Sequence, residues 1–371
     1  MPITLSVITS IQAFKECKSK WENFRLHQND NVMCNSWHWI NTWLDIFYRP
    51  KDQLRLYMWH CEEKPIGIIP CYLKKTFSGN ELRFIATGEP TRSEVCSEFQ
   101  DFILDEEYSD NILAQFSREI LADKHISAII FDNILTSSKA YHWFNNVNFS
   151  GRRKVINNLG KRYLLPLQAD IKEQISQLKS SNIKRHAKKF LKNKNCKVSL
   201  IENTEELNTF YQELIKEHNQ SWYKRGKTGA FEDELFILFH RKFSVKLLND
   251  SRLIAFKLEC ENEFCALFYG IVDGDTLYYY QSAVNHESKL SSAGVAMHIV
   301  AINLAREKGL SSYDLMKGSD DSYKVRYVRG GSAVFTVAAL SARYRFFSAL
   351  SHLYKKTVCY VYTLKGKINE I

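Results

Sequence analysis

The sequence predicts a mixed α/β fold, with α+β character in its sheets, built as two domains. Three observations carry that expectation. At 371 residues the chain is long for a single hydrophobic core. With 45% hydrophobic and 25% charged residues, it has ample core material and none of the charge excess of a disordered chain. Short apolar runs and 3.6-periodic stretches interleave along both halves, which fits neither an all-helical nor an all-strand chain.

The first half opens on a strand-like ITLSVI and a helical stretch from Ile11 to about Gln28. NSWHWINTWLDIFY places Trp37, Ile40, Trp43, Leu44 and Phe47 at helical spacing, where they can form core or a ligand shelf. LRLYMWHC and PIGIIPCYLKK, joined by the polar Glu62-Glu63-Lys64, predict a hairpin. Strands follow near Glu81–Ala86, Phe99–Leu104 and Ser127–Asn133, with helices over about Tyr108–Ala122 and around Ala140.

The basic, glycine-punctuated GRRKVINNLGKRYLLPL marks a boundary, giving domains at 1–160 and 161–371. From Leu178 to Lys197 the chain carries eight Lys or Arg and no acid. That stretch is either a solvated helix face or a contact for a phosphate-bearing ligand. KVSLIE reads as a strand. Asn203, with Glu206 three residues on, starts an amphipathic helix. EDELFILFHRKFSVKLLND is a second helix. SRLIAFKLEC, FCALFYGIV and TLYYYQSAV are strands joined by turns at Glu261–Glu263 and Asp273-Gly274-Asp275. The apolar helix of SSAGVAMHIVAINLA, the strand SSYDLMK, a short helical segment at Tyr323 and the strand SAVFTVAAL complete the order β-α-α-β-β-β-α-β-α-β. In the tail, Tyr344, Phe347, Leu350 and Tyr354 share a face amid basic residues, ready to dock on the first domain or touch an anionic membrane.

Several classes of function drop out. No apolar run approaches the ~20 residues of a transmembrane segment, and the start lacks the basic and apolar regions of a signal peptide. A cytoplasmic protein is expected. Nine cysteines without a CxxC pair or a Cys/His cluster predict reduced, buried thiols, hence no disulfide and no metal. The net charge of +10 points to an anionic partner: nucleic acid, nucleotide phosphates or a membrane surface.

HNQSWYKRGKTGAF, LSSAGVAMHIVAINLA and YDLMKGSDDSYKVRY, in that order, resemble a bacterial GNAT-like acetyltransferase family found in cellulose and exopolysaccharide operons. Its relatives are the Fem peptidyltransferases, which carry two GNAT-like domains in tandem. NSWHWINTW also resembles that family's start. The resemblance covers most of the chain and is strongest from Leu178 to Arg329. It implies a degenerate GNAT-like first domain and an acyltransferase second domain.

In that fold two central strands splay apart and a helix begins at the gap. The unpaired N–H groups and dipole of its first turn suit a pyrophosphate. The fingerprint is Gln or Arg, two residues, Gly, one residue, then Gly or Ala. It falls on Ser291–Ala296, with Ser291 standing where Gln or Arg is expected. The resemblance implies donor contacts at Ser292, Gly294, Val295 and Ala296.

SDDSYK lies at the carboxyl end of the strand YDLMK, where ligands gather in open α/β sheets. Acyl transfer needs a base for the acceptor proton and an acid for the leaving thiolate. Asp320 or Asp321 can be the base, Tyr323 the acid, and Lys324 a partner for a phosphate or an acidic substrate; the aspartates can equally be helix caps. His218, Trp222 and Arg225 share a helix face at i, i+4 and i+7, and the resemblance sets them beside the acceptor. Tyr280 and Gln281 are further candidates on the strand facing the gap. Alternation separates Tyr278 and Tyr280 from Tyr279 and Gln281, so one set packs and the other lines the cleft.

The implied function is transfer of an acyl group, acetyl foremost, from acetyl-CoA or another acyl-CoA to an amine or hydroxyl of a sugar in surface polysaccharide synthesis. A membrane-bound polysaccharide synthase is an expected peripheral partner. Two alternatives stand beside it. One is Fem-like transfer from aminoacyl-tRNA, favoured by the basic segment and the missing Gln or Arg. The other is a non-catalytic scaffold for a synthesis partner.

Overall fold

The structure of the protein, a computed structural model, describes residues 2–28, 32–290 and 292–351. The first half runs β1 (Ile3–Ile8), α1 (Ile11–Glu16), α2 (Lys18–Leu26), α3 (Trp37–Phe47), β2 (Gln53–Cys61), β3 (Lys64–Thr76), β4 (Gly79–Phe84), β5 (Ile103–Leu104), α4 (Ser109–Ala122), β6 (Ile126–Leu135), α5 (Lys139–Asn146) and β7 (Arg152–Pro166). The second runs α6 (Ile171–Gln177), α7 (Ser181–Leu191), β8 (Cys196–Leu200), α8 (Thr204–Tyr223), α9 (Glu234–Asn249), β9 (Leu253–Cys260), β10 (Glu263–Asp273), β11 (Thr276–Val284), α10 (Ala293–Glu307), β12 (Ser312–Gly318) and β13 (Ser332–Ser341). A 3-10 turn at Tyr323–Arg326 lies between the last two strands.

All thirteen strands join one sheet, in the order β1-β2-β3-β4-β6-β13-β7-β12-β11-β10-β9-β8, with β5 beside β3. The halves exchange strands. β13, last in the chain, enters between β6 and β7, and β7 pairs in turn with β12 of the second half. The sequence boundary at 160 therefore falls inside a strand. On one face of the second half, α3, α8 and α9 share a core with Tyr269 and Tyr278. On the other, α7 and α10 cover Phe256, Phe268 and Leu277.

Local choices follow the expected chemistry. Asn203 caps α8 by accepting from the Glu206 amide at 2.9 Å, and Glu206 accepts from the Glu202 amide at 2.8 Å. The apolar helix α10 is buried on most sides, Ile299, Ala301 and Ile302 being almost without exposure.

Several expectations are corrected. The first helical stretch breaks at Cys17 into α1 and α2. The strand expected at Phe99–Leu104 shrinks to β5, because Phe99 takes a positive φ of 67°. The basic segment is not one helix but α7 followed by β8. Its second strand partner brings Cys196 opposite Cys260 with Cα atoms 4.0 Å apart, and the two form a disulfide where none was expected. In the tail, Tyr344 donates to Glu81 at 2.7 Å and Phe347 meets Phe77 edge-on at 6.0 Å, so this part docks on the first half. Tyr354 lies outside the described residues. Among the described residues no helix is long and apolar enough to cross a membrane.

One feature of β12 positions everything that follows. β11 and β12 run parallel but pair only from Thr276–Ser312 to Tyr278–Asp314. There Asp314, fully buried, accepts from the Met316 amide at 2.7 Å and from Arg162 Nε at 2.7 Å. Met316 takes a φ of 63°, and the register with β7 slips between Asp314 and Lys317. The strand bends away from β11 at that point. Asp314→Asn should destabilise the fold by about 3 kcal/mol, because Arg162 would keep its charge in a buried setting without a carboxylate. Urea unfolding checks this; an unchanged midpoint would show that the pair does not hold the bend.

Candidate active site

α10 begins where β11 and β12 part. Its cap, Ser292, is left-handed at φ 67° and ψ 49°, a conformation that an L-residue with a side chain seldom holds. The amides of Val295 and Ala296 both turn back to the Ser292 carbonyl, at 2.8 and 3.1 Å. The amides of Ala293 and Gly294 are left as the unpaired donors of the first turn, at the positive end of the helix dipole. A Cβ built on Gly294 would meet only Val284, at 3.9 Å, so the space before it is open.

That space is a cleft of about 560 Å3. Tyr279 and the Gln281–Asn285 stretch of β11 form one wall, and the end of α8, with His218, Trp222 and Arg225, forms another. The start of α10 and Tyr323, Arg326 and Tyr327 close the rest. Among the described residues, Arg225 and Arg326 line the cleft and no carboxylate does, so its field is positive. Trp222 Nε1 donates to His218 Nε2 at 3.0 Å, and Arg225 lies 3.3 Å from His286 Nε2.

The inner wall is a cluster of rings around His298. Tyr279 lies 4.8 Å from it, Tyr327 4.9 Å, Tyr323 5.8 Å and Tyr313 6.0 Å. His298 Nδ1 is 2.7 Å from the Tyr313 hydroxyl, while Nε2 has no hydrogen-bond partner. Burial, with Lys324 nearby, pushes the imidazole down to about 3, so it is neutral at physiological pH. Burial and the neighbouring phenols push Tyr323 well above the usual tyrosine range.

Of the residues singled out from sequence, Ser292, Gly294, Val295, His218, Trp222, Arg225, Gln281 and Tyr323 all border this cleft. Four do not. Ala296 is packed in the core, 1% exposed. Tyr280 points through the opposite face of β11, donating to the Val95 carbonyl against Trp39 and His240. A bulge opposite Tyr269 and Gly270 leaves Tyr279 and Gln281 as the cleft-facing pair. Asp321 is exposed on the far side of the turn, where hydrogen bonds from Ser319 and its own amide hold its carboxyl below the usual range; Asp320 pairs with Lys161 at 2.8 Å. Lys324 is half-buried, its Nζ donating to the Lys317 carbonyl at 2.6 Å, which ties the 3-10 turn to the end of β12. Ser291 lies outside the described residues.

Sequence reasoning missed His298, Arg326 and Tyr327. His298 was within reach: it stands one helical turn after Gly294 and so shares its face.

His240, packed under Tyr280, is likewise pushed down to about 3 by burial. In the unfolded chain this histidine takes its proton near pH 6.5, but in the fold only near 3. Protons therefore favour the unfolded state: the contribution is complete above about pH 6.5 and is lost progressively below it. Urea midpoints measured at pH 7.5 and 5 should fall less in His240→Phe than in the parent protein; equal falls would show that His240 is not the acid-sensitive group.

The sequence matches the acetyltransferase (GNAT) domain family over residues 178–325. Comparison with curated proteins gives no match. Among solved structures, the crystal structure of FemX is similar with a TM-score of 0.65 at 12% identity, covering 93% of this chain and 99% of that one. L-PGS from Bacillus licheniformis gives 0.50 at 11%, covering 87% and 91%. The C-terminal domain of a protein described as a lysylphosphatidylglycerol synthetase, from Agrobacterium fabrum, gives 0.51 at 11%, covering 91% and 95%. At such identities the likeness is one of fold. The second half thus matches the acetyltransferase (GNAT) domain family over residues 178–325, within a mixed α/β chain whose fold as a whole is similar to that of FemX.

Proposed function

We propose that the protein transfers an acyl group, acetyl foremost, from acyl-CoA to an amine or hydroxyl of a sugar used in surface polysaccharide. One observation carries the donor half of this reading. The unpaired Ala293 and Gly294 amides face a positively charged cleft that opens between two parting strands. Such a site fits a pyrophosphate at the helix start, with a slender thioester arm lying along β11. Arg225 and Arg326 add charge for the phosphates. The sugar acceptor and the link to a polysaccharide synthase rest on the family resemblance of the three sequence motifs.

The donor supplies an activated thioester carbon. As the acceptor's nitrogen or oxygen bonds to that carbon, the carbon–sulfur bond breaks. His298 Nε2 takes the acceptor's proton. Burial keeps the resting imidazole neutral, and in the tautomer whose Nδ1–H donates to the Tyr313 hydroxyl, Nε2 presents a lone pair. Tyr323, whose raised pKa keeps it protonated, gives its proton to the departing sulfur. Asp321 has no part in this scheme, since it lies outside the cleft.

A second reading has one supporting observation. α7 reaches the cleft through Ile183, and its Lys189, with Lys192, borders a groove of about 370 Å3 that continues from Leu290. A basic groove beside the donor cleft also suits aminoacyl-tRNA.

Calorimetry with acetyl-CoA and with bulk tRNA separates the two readings. The first expects saturable acetyl-CoA binding that Gly294→Trp abolishes, and a kcat about 100-fold lower in His298→Ala. Salt-sensitive tRNA binding without acetyl-CoA binding would replace it with the second reading.

A further inference from the structure

The first half has its own pair of parting parallel strands. β4 and β6 pair through Leu82 and Ile129 and then separate. Beyond them lies a cavity of about 400 Å3, within the size range of small-molecule sites. Both halves build it: Arg83 comes from β4, Asn133 from β6, Thr336 from β13 and Lys317 from β12.

Backbone strain marks the place. Ten non-glycine residues of the described chain have positive φ. Glu62, Ser251, Glu261 and Asn262 sit in tight turns, and Ser292 caps α10. Of the others, Ala86 and Asn133 line this cavity, while Cys96 and Met316 directly precede the lining residues Ser97 and Lys317. Left-handed backbone at residues with side chains is costly and gathers at ligand sites.

The lining mixes both signs of charge, which sets it apart from the second-half cleft. Lys74, Arg83 and Lys317 face Glu89, Glu94 and Asp132. Most of these groups are already satisfied. Arg83 holds Glu81 and Asp132, each at 2.6 Å, and Thr336 donates to Asp132 at 2.9 Å. Glu89 accepts from Trp43 Nε1 at 3.0 Å and from the Val95 amide at 2.9 Å. Burial pushes the Glu89 carboxyl up to about 7, so near neutrality it can give as well as take a hydrogen bond. Among the described residues, the Asn133 amide nitrogen, the Thr91 hydroxyl and the Glu94 carboxylate have no protein partner, the last two being open to solvent.

A polyphosphate would find no net positive field here, and an apolar ligand would strand polar groups. Hydroxyl groups, which donate and accept at once, match interleaved donors and acceptors of no net charge. We propose that this cavity is a second ligand site, taking a neutral polyhydroxylated molecule of monosaccharide size. The proposal stands independently of what the other cleft transfers.

Calorimetry on the full chain tests it, with glucose and N-acetylglucosamine as neutral probes, glucuronate as anion, glucosamine as cation and alanine as zwitterion. The expected result is saturable binding of a neutral sugar, weakened about tenfold or more by Leu159→Trp and by Thr91→Trp. These two lining positions carry no part of the ionic network, and thermal melts check that each variant is folded. Gly294→Trp should leave the binding unchanged. Absence of neutral-sugar binding, tighter binding of a charged or zwitterionic probe, or loss in Gly294→Trp alone would each overturn the proposal.

Discussion

The architecture of the β11–β12 cleft depends on one buried carboxylate. Asp314 sits at the last paired position of β12, where it grips Arg162 of β7 and the amide of Met316. With that amide captured and Met316 left-handed, the strand cannot continue its ladder with β11. The Arg162 guanidinium is itself stacked 4.8 Å over Phe99 of the first half. The gap is thus held by contacts reaching across both halves, and the strand exchange of β7 and β13 makes those contacts obligatory. The α10 terminus, the ring cluster around His298 and the Arg326 turn all take their places around that gap.

Much of this was legible in the sequence. The element order of the second half follows from alternation, turn chemistry and one helix cap. Gly294 at the start of an apolar helix points to the cleft, and the 218–222–225 spacing brings three side chains to its rim. What could not be read was set by long-range pairing. Nothing local tells that the closing strand inserts between β6 and β7, or that β8 and β9 align Cys196 with Cys260. The face of Tyr280 depended on which side of β11 the α10 helix covers. Asp321 and Lys324 were misplaced for a related reason: the motif fixes their spacing, but the 3-10 turn sends one to solvent and the other under the strand end.

The two parting strand pairs give one sheet two pockets of different electrostatic character. The second-half cleft has arginines and unpaired amides without a carboxylate, and so favours anions. The first-half cavity mixes three cationic with three acidic side chains, of which Arg83 and Asp132 pair directly, and so presents no field of a single sign. In both, left-handed residues stand at the rim. One continuous sheet can thus carry two gaps whose lining chemistry differs.

Soaking crystals of the protein with acetyl-CoA tests whether the β11–β12 gap receives an acyl-CoA donor. Pyrophosphate density is expected against the Ala293 and Gly294 amides, with the thioester reaching toward Tyr279 and His298. Density for the donor elsewhere, with the gap still holding only water, would contradict donor binding in the gap.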